Sequence, residues 1–244
     1  MSARHQTLQD NLFTGKIGAE YDFLRLMCPN HALLARRLGE TVAAFRPDAP
    51  LKGFEIGCGT GISTLPLLAA RDNLTLTAID AAPAMLDQAR ESLADYVKAG
   101  RADFKQADAL EALKALPSDS IDVVASNYAI HNFLDDYRSL VLAEVHRVLK
   151  PGGLFVNGDR YAMDDRAAHL LDTQATVRRW FKLFREIDRL DLLEDWVVHF
   201  YSDESPDHVM YFTPSMEKLK ALGFTVTVDY REGVDTLVRA VKAV

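Results

Sequence analysis

One segment restricts the fold more than any other. The apolar run LKGFEI, residues 51–56, feeds straight into Gly57-Cys58-Gly59-Thr60-Gly61, and the following ISTLPLLAA reads as a helix with Pro66 near its first turn. A strand that enters a glycine turn and leaves as a helix presents unpaired N–H groups to a ligand, and its glycines permit positive φ and close backbone approach. An ordinary tight strand-to-helix turn is the plain alternative for the triplet alone. The surrounding chain keeps the same rhythm. LTLTAID ends at Asp80, Pro83 opens a helix through about Leu93, and DFKQAD is a short third strand ending at Asp108. IDVVASNYAI is apolar enough to be a buried parallel strand; helix 136–149 follows, and the turn Lys150-Pro151-Gly152-Gly153 leads into LFVNGD. This alternation predicts an α/β protein: a Rossmann-like, doubly wound, mostly parallel seven-stranded sheet with an antiparallel edge strand and a helical cap.

The ends and one insertion supply the cap. Leu33, Leu34, Leu38, Val42 and Phe45 recur at helical spacing within residues 16–46, and Pro47 and Pro50 end the run. Residues 163–205 are helical in pattern, with Val177, Phe181, Phe184 and Ile187 on one side and Arg178, Lys182, Arg185 and Arg189 on another. A helix over 214–222 stops at Gly223, and FTVTVDY and TLVRAVKA alternate like a closing hairpin. With no internal repeat, the expectation is a single domain over 1–244: an N-terminal helical cap (1–50), a cofactor-binding core (51–160), a helical insertion (161–210) and a closing helix with strands (211–244).

Composition removes several function classes. Hydrophobic residues make up 48% and charged residues 26% of the 244, ordinary for a folded globular chain. No run approaches the ~18 apolar residues of a membrane span. A net charge of −7 disfavours nucleic acid and anionic lipid as partners. The arginine stripe does not restore them, since 161–210 carries 11 acidic against 6 basic residues, which reads as an exposed helix face with i,i+4 pairs. Cys28 and Cys58 are too few for a disulfide framework, and MSARHQTLQDNLF lacks the features of a secretory signal, so the expected compartment is cytoplasmic.

Spacing selects the ligand. A P-loop needs Gly-Lys-Ser/Thr after its glycines, but this loop continues Gly61-Ile62-Ser63; a dinucleotide fingerprint needs a third glycine where Ile62 stands. Glu55, two residues before the first glycine, would repel pyrophosphate and welcome a cationic ligand such as an ammonium group. Asp80 falls 23 positions after Gly57, close to the ~20-residue interval at which an acidic residue meets ribose hydroxyls. Asp108, or the Ala109 N–H, is placed to take an adenine edge.

The ordered motifs EIGCGTG, AIDAAPAML, QADA and VLKPGGLF resemble the class I S-adenosylmethionine-dependent methyltransferases over about residues 50–160. The resemblance implies S-adenosyl-L-methionine as cofactor: Gly57, Cys58, Gly59 and Gly61 line its methionine part, Asp80 with Ala81 its ribose, and Met85 packs nearby. Asp108 and Ala109 would hold adenine, Asn127 and Tyr128 would sit beside the sulfonium, and Tyr21 would close over the cofactor, with plain core packing as its alternative. The ends, including DLLEDWVVHFYSDE, are similar to the carboxy-S-adenosylmethionine synthase branch, which serves tRNA wobble-uridine modification. That branch holds its extra carboxylate with an arginine just before its counterpart of DLLEDW. Here Leu190 occupies the nearest aligned place with Arg189 beside it, so an ordinary methyl donor is expected.

Substrate-side candidates are fewer. His131, four residues after Asn127, is a candidate general base, with a hydrogen-bonded loop histidine as the alternative. Asp159, Arg160 and Tyr161 follow the fifth strand. His199 and Asp203, at i and i+4, share a helix face, with His208 beyond, and the pattern favours substrate contact or a surface pair over a metal site. Trp180, Trp196 and Phe200 read as cap core or as a stacking surface. The expectation is direct methyl displacement onto a small-molecule acceptor with His131, Asp159 and His199 as catalytic candidates. A carboxy-S-adenosylmethionine synthase-like enzyme and a non-catalytic S-adenosylmethionine-binding protein remain as alternatives, and a homodimer is compatible with either.

Overall fold

The computed structural model describes Met27, Cys28 and residues 30–244; Tyr21 and the start of the expected N-terminal helix lie outside these. Five strands form where the sequence runs apolar: β1 (Leu51–Ile56), β2 (Leu74–Asp80), β3 (Ala102–Gln106), β4 (Ile121–Asn127) and β5 (Leu149–Arg160). All are parallel, and β4 is buried at every position because both its faces are covered. A hairpin of β6 (Phe224–Glu232) and β7 (Asp235–Lys242) completes the sheet, β7 running antiparallel to both β5 and β6. The order is β3-β2-β1-β4-β5-β7-β6. Connections run outward from β1 in one direction and from β4 in the other, so a crevice opens at the carboxyl ends of β1 and β4.

Helices cover both faces. Before and within the core these are α1 (Asn30–Ala44), α2 (Thr64–Ala69), α3 (Pro83–Ser92), α4 (Ala94–Lys98), α5 (Ala109–Lys114) and α6 (Asp135–Val148). Leu34, Leu38 and Val42 of α1 join Leu67, Leu76, Val123 and Val156 in the core on one side of the sheet. Val141, Val145 and Val148 of α6 join Ile56, Val124 and Phe155 on the other. The insertion folds as α7 (Arg166–Glu186) and α8 (Leu190–Asp203), followed by α9 (Phe212–Ala221). Asp165 starts α7 by accepting the N–H groups of Ala167 and Ala168 at 2.9 and 3.1 Å. Met27, Trp180, Phe184, Leu192, Leu193, Trp196 and Phe200 give the cap its own apolar cluster.

Three boundaries differ from the sequence expectation, each for a local reason. The third strand stops at Gln106 because Asp108 caps α5, its Oδ1 accepting the Glu111 N–H at 3.0 Å. The fourth stops at Asn127 because Tyr128 takes a φ of +53°, in the left-handed region, and a 3₁₀ turn follows at Ile130–Asn132. The segment Lys150-Pro151-Gly152-Gly153 lies inside β5 as a bulge: Leu149 pairs with Ile121 but Leu154 pairs with Val123.

Candidate active site

The glycine turn is built for close approach. Gly57, Gly59 and Gly61 adopt φ of 68, 53 and 90°. A Cβ on Gly57 would come to 2.3 Å from the Ala129 Cβ, so no side chain fits there. The turn is then fastened from both sides. Asp80 accepts the Gly59 N–H at 2.8 Å through Oδ2 and the Ala82 N–H at 2.9 Å through Oδ1. Cys58 is buried, and its N–H donates to the Ile79 carbonyl at 3.0 Å.

Glu55 corrects an expectation. Rather than facing a cationic ligand directly, it is fully buried under the turn, accepting the Ser63 hydroxyl on Oε1 and the Thr64 hydroxyl on Oε2, both at 2.6 Å. Burial pushes its carboxyl up to about 7, against the lowering effect of the two hydroxyls. Its direct work is to tie the start of α2 to β1.

Around the crevice, Ala81 is exposed after β2 and Met85 is buried in the first turn of α3. Asp108 spends its side chain on α5 and on the Tyr137 hydroxyl, which donates to Oδ2 at 2.8 Å, while Ala109 begins the helix. Asn127 ends β4, buried, with Nδ2 3.5 Å from the His31 carbonyl. Its Oδ1 is buried and has no hydrogen-bond partner among the described residues. An open glycine cradle, an acidic strand end at Asp80, an acidic helix cap at Asp108 and an orphaned buried amide oxygen fit an adenosyl ligand with a charged tail.

Beyond the crevice lies a cavity of about 270 Å³, roofed by α7 and α8. Tyr128, His131 and Arg160 line it from the sheet, and Trp180, Trp196, His199, Phe200 and Asp203 from the cap. Asp159, fully buried at the end of β5, lies behind His131: its Oδ1 is 2.5 Å from His131 Nδ1, and its Oδ2 accepts the His131 backbone N–H at 3.2 Å. A carboxylate only accepts, so Nδ1 carries the proton and Nε2 is left as the basic nitrogen. That Nε2 lies 3.9 Å from Asp203 Oδ2. His199 Nε2 approaches the same oxygen to 3.6 Å, and burial holds its pKa below the ordinary value, against the opposing pull of Asp203.

The three catalytic candidates thus converge, although they come from the turn after β4, the end of β5 and α8. Arg160 lies 3.6 Å from Asp203 and 3.2 Å from Glu204, which in turn bonds His169 at 2.7 Å. Tyr161 does not join them: its hydroxyl takes the Asn157 amide at 2.8 Å in the core. His208 does not line the cavity; its Nε2 lies 3.0 Å from the Asn132 carbonyl. Trp180 and Phe200 stack edge to face at 4.9 Å, serving as cap core and cavity wall at once. Among the described residues, no three side chains are placed to hold a metal ion.

Sequence reasoning did not single out Cys28, Asp172, Arg179 or Asp235 as cavity residues. Asp235 accepts Asn30 Nδ2 at 2.9 Å and the Tyr128 hydroxyl. The only available signal was its position at the start of the closing strand beside Gly233. Arg189 and Asp191 form an exposed fork at 2.9 and 3.1 Å, and neither lines the cavity.

A doubly wound sheet whose glycine turn is tied to an acidic second strand end is a frame for nucleoside-bearing ligands, and the sequence comparisons place this one among the class I, S-adenosylmethionine-dependent methyltransferases. Residues 54–157 match the family model described as a methyltransferase domain. A curated relative, carboxy-S-adenosyl-L-methionine synthase of Shewanella woodyi, is 24% identical over 229 residues, covering 90% of this chain and 87% of the relative. Among solved structures, an O-methyltransferase family protein from Burkholderia thailandensis superposes with a TM-score of 0.61 at 18% identity, over 87% of this chain and 57% of that one. Mitomycin 7-O-methyltransferase superposes at 0.62 and 21% identity, over 96% of this chain and 60% of that one. The enzyme uses S-adenosylmethionine. No helix among the described residues is long and apolar enough to cross a membrane.

Proposed function

We propose that the chain transfers the methyl group of S-adenosylmethionine to a small acceptor enclosed beneath α7 and α8. The observation that carries this reading is His131: Asp159 fixes its Nδ1 at 2.5 Å, and the ring stands in the cavity wall as a proton acceptor beside the cofactor crevice. Gly57, Gly59 and Gly61 would hold the methionine part, Asp80 the ribose, and the backbone at Ala109 the adenine. When bound, S-adenosylmethionine supplies a methyl group on a good leaving group. The chain's own residues then align the acceptor, exclude water and take its proton.

The test is S-adenosylhomocysteine formation across a panel of small amines, phenols and acids at saturating S-adenosylmethionine. Turnover of at least one acceptor, lowered about a hundredfold or more in His131→Gln with cofactor affinity within twofold, supports the reading. A cofactor that binds but is never turned over moves the chain to a binding role.

Carboxylated-cofactor synthesis, the printed activity of the curated relatives, is the second reading. Against it stands Arg189, next to the position where that branch carries its arginine, which pairs with Asp191 and does not line the cavity. Mass spectrometry of ligand carried through purification separates the two.

A further inference from the structure

Asp203 brings a buried, incompletely bonded carboxylate to the cavity. It is 6% exposed, and its Oδ1 is buried with no hydrogen-bond partner among the described residues. It is also the last residue of α8, at the negative end of the helix, where a carboxylate is disfavoured. Its Oδ2 faces two imidazoles at 3.6 and 3.9 Å and one guanidinium at 3.6 Å. That guanidinium, Arg160, is shared with Glu204 at 3.2 Å. The cavity lining carries four carboxylates, Asp172, Asp203, Glu232 and Asp235, against the two guanidinium groups of Arg160 and Arg179. Its walls include the rings of Trp180, Trp196 and Phe200, whose faces attract cations.

A buried carboxylate oxygen without a donor is costly unless a ligand brings one. We propose that the acceptor is a cationic amine with an apolar body, its ammonium facing the Asp203 carboxylate and its body against the Trp180 and Trp196 walls. This rests on the methyl-transfer reading above and adds the substrate class. In the transfer, His131 Nε2 takes one N–H proton. The nitrogen lone pair then forms the new N–CH₃ bond as the S–CH₃ bond breaks, and that bonding pair stays on sulfur. A neutral alcohol would bring no positive charge to a lining with four carboxylates against two guanidinium groups, and a carboxylate would add a fifth negative charge.

The experiment titrates 2-phenylethylamine, 2-phenylethanol and 3-phenylpropanoate into the full chain saturated with S-adenosylhomocysteine, by calorimetry. The amine is expected to bind at least tenfold more tightly than either other probe. Asp203→Asn, which keeps shape but removes charge, is expected to weaken the amine about tenfold and to change the alcohol by less than twofold. Equal or tighter binding of the alcohol or the acid, amine binding unchanged in Asp203→Asn, or no amine binding at all overturns the proposal while leaving methyl transfer standing. Failure of S-adenosylhomocysteine itself to bind would bring down the methyl-transfer reading, and this inference with it. If Asp203→Asn does not fold, the ranking of the three probes on the unmodified chain decides alone.

Discussion

The glycine crevice and the cavity beneath the cap are assembled in opposite ways. The crevice draws on short stretches at the ends of adjacent parallel strands, where Glu55, Gly59 and Asp80 fasten one loop within some 25 residues of chain. The cavity gathers Cys28, His131, Arg160, His199 and Asp235 from across the whole sequence. A site made by one strand-turn-helix can be written in a motif, whereas a site made by topology cannot, because no spacing rule links its members.

The sharpest way to break this contrast is Gly57→Val. With a Cβ already 2.3 Å from Ala129, it should cost at least a hundredfold in S-adenosylmethionine affinity by calorimetry, and an unchanged affinity would move the cofactor elsewhere. Asp159→Asn acts on the cavity side only. Turnover should fall by about tenfold to a hundredfold through the lost hold on His131, with cofactor affinity unchanged, and a matching loss of affinity would mean the two regions are not separable.

A third test uses pH. Burial raises Glu55 from 4.5 to about 7, so between these values the folded chain keeps a proton the unfolded chain has lost, and stability falls as pH rises. Beside Tyr128, burial lowers His31 from 6.5 to about 4, aided by His131. There the unfolded chain binds the proton first, so stability is lost as pH falls from 6.5 to 4. The two slopes oppose each other where the windows overlap. Glu55→Gln should therefore uncover a stability that rises with pH by up to about 3 kcal/mol in urea titrations, and a profile identical to the parent would refute the buried carboxyl. The smallest effect is reserved for Arg189→Ala, half of a partly exposed pair, which should change stability by less than about 1 kcal/mol in urea titrations and leave ligand binding intact.

Much of the architecture was legible because it depends on local pattern. The β-branched run before Asp80, Pro83 at a helix start and Gly223 at a helix end each carry their structural consequence with them. The errors came where a side chain or backbone angle competed with propensity: Asp108 chose capping over strand, and Tyr128 left the strand despite the apolar run around it. His131, Asp159 and His199 were picked singly, as residue types after strands or on a helix face. Their convergence, and the orphaned oxygen of Asp203, depend on how α8 folds back over the sheet, which no residue in α8 announces.

Asp159 stands on β5, between β4 and the antiparallel β7, where it lies across from Thr236. Neighbouring residues on a strand point to opposite sides, so a slip of β5 by a single position would turn this carboxylate away from His131. The closing hairpin therefore acts as a ratchet stop for the chemistry, and trimming it at the carboxyl end should silence the base well before the cofactor is lost.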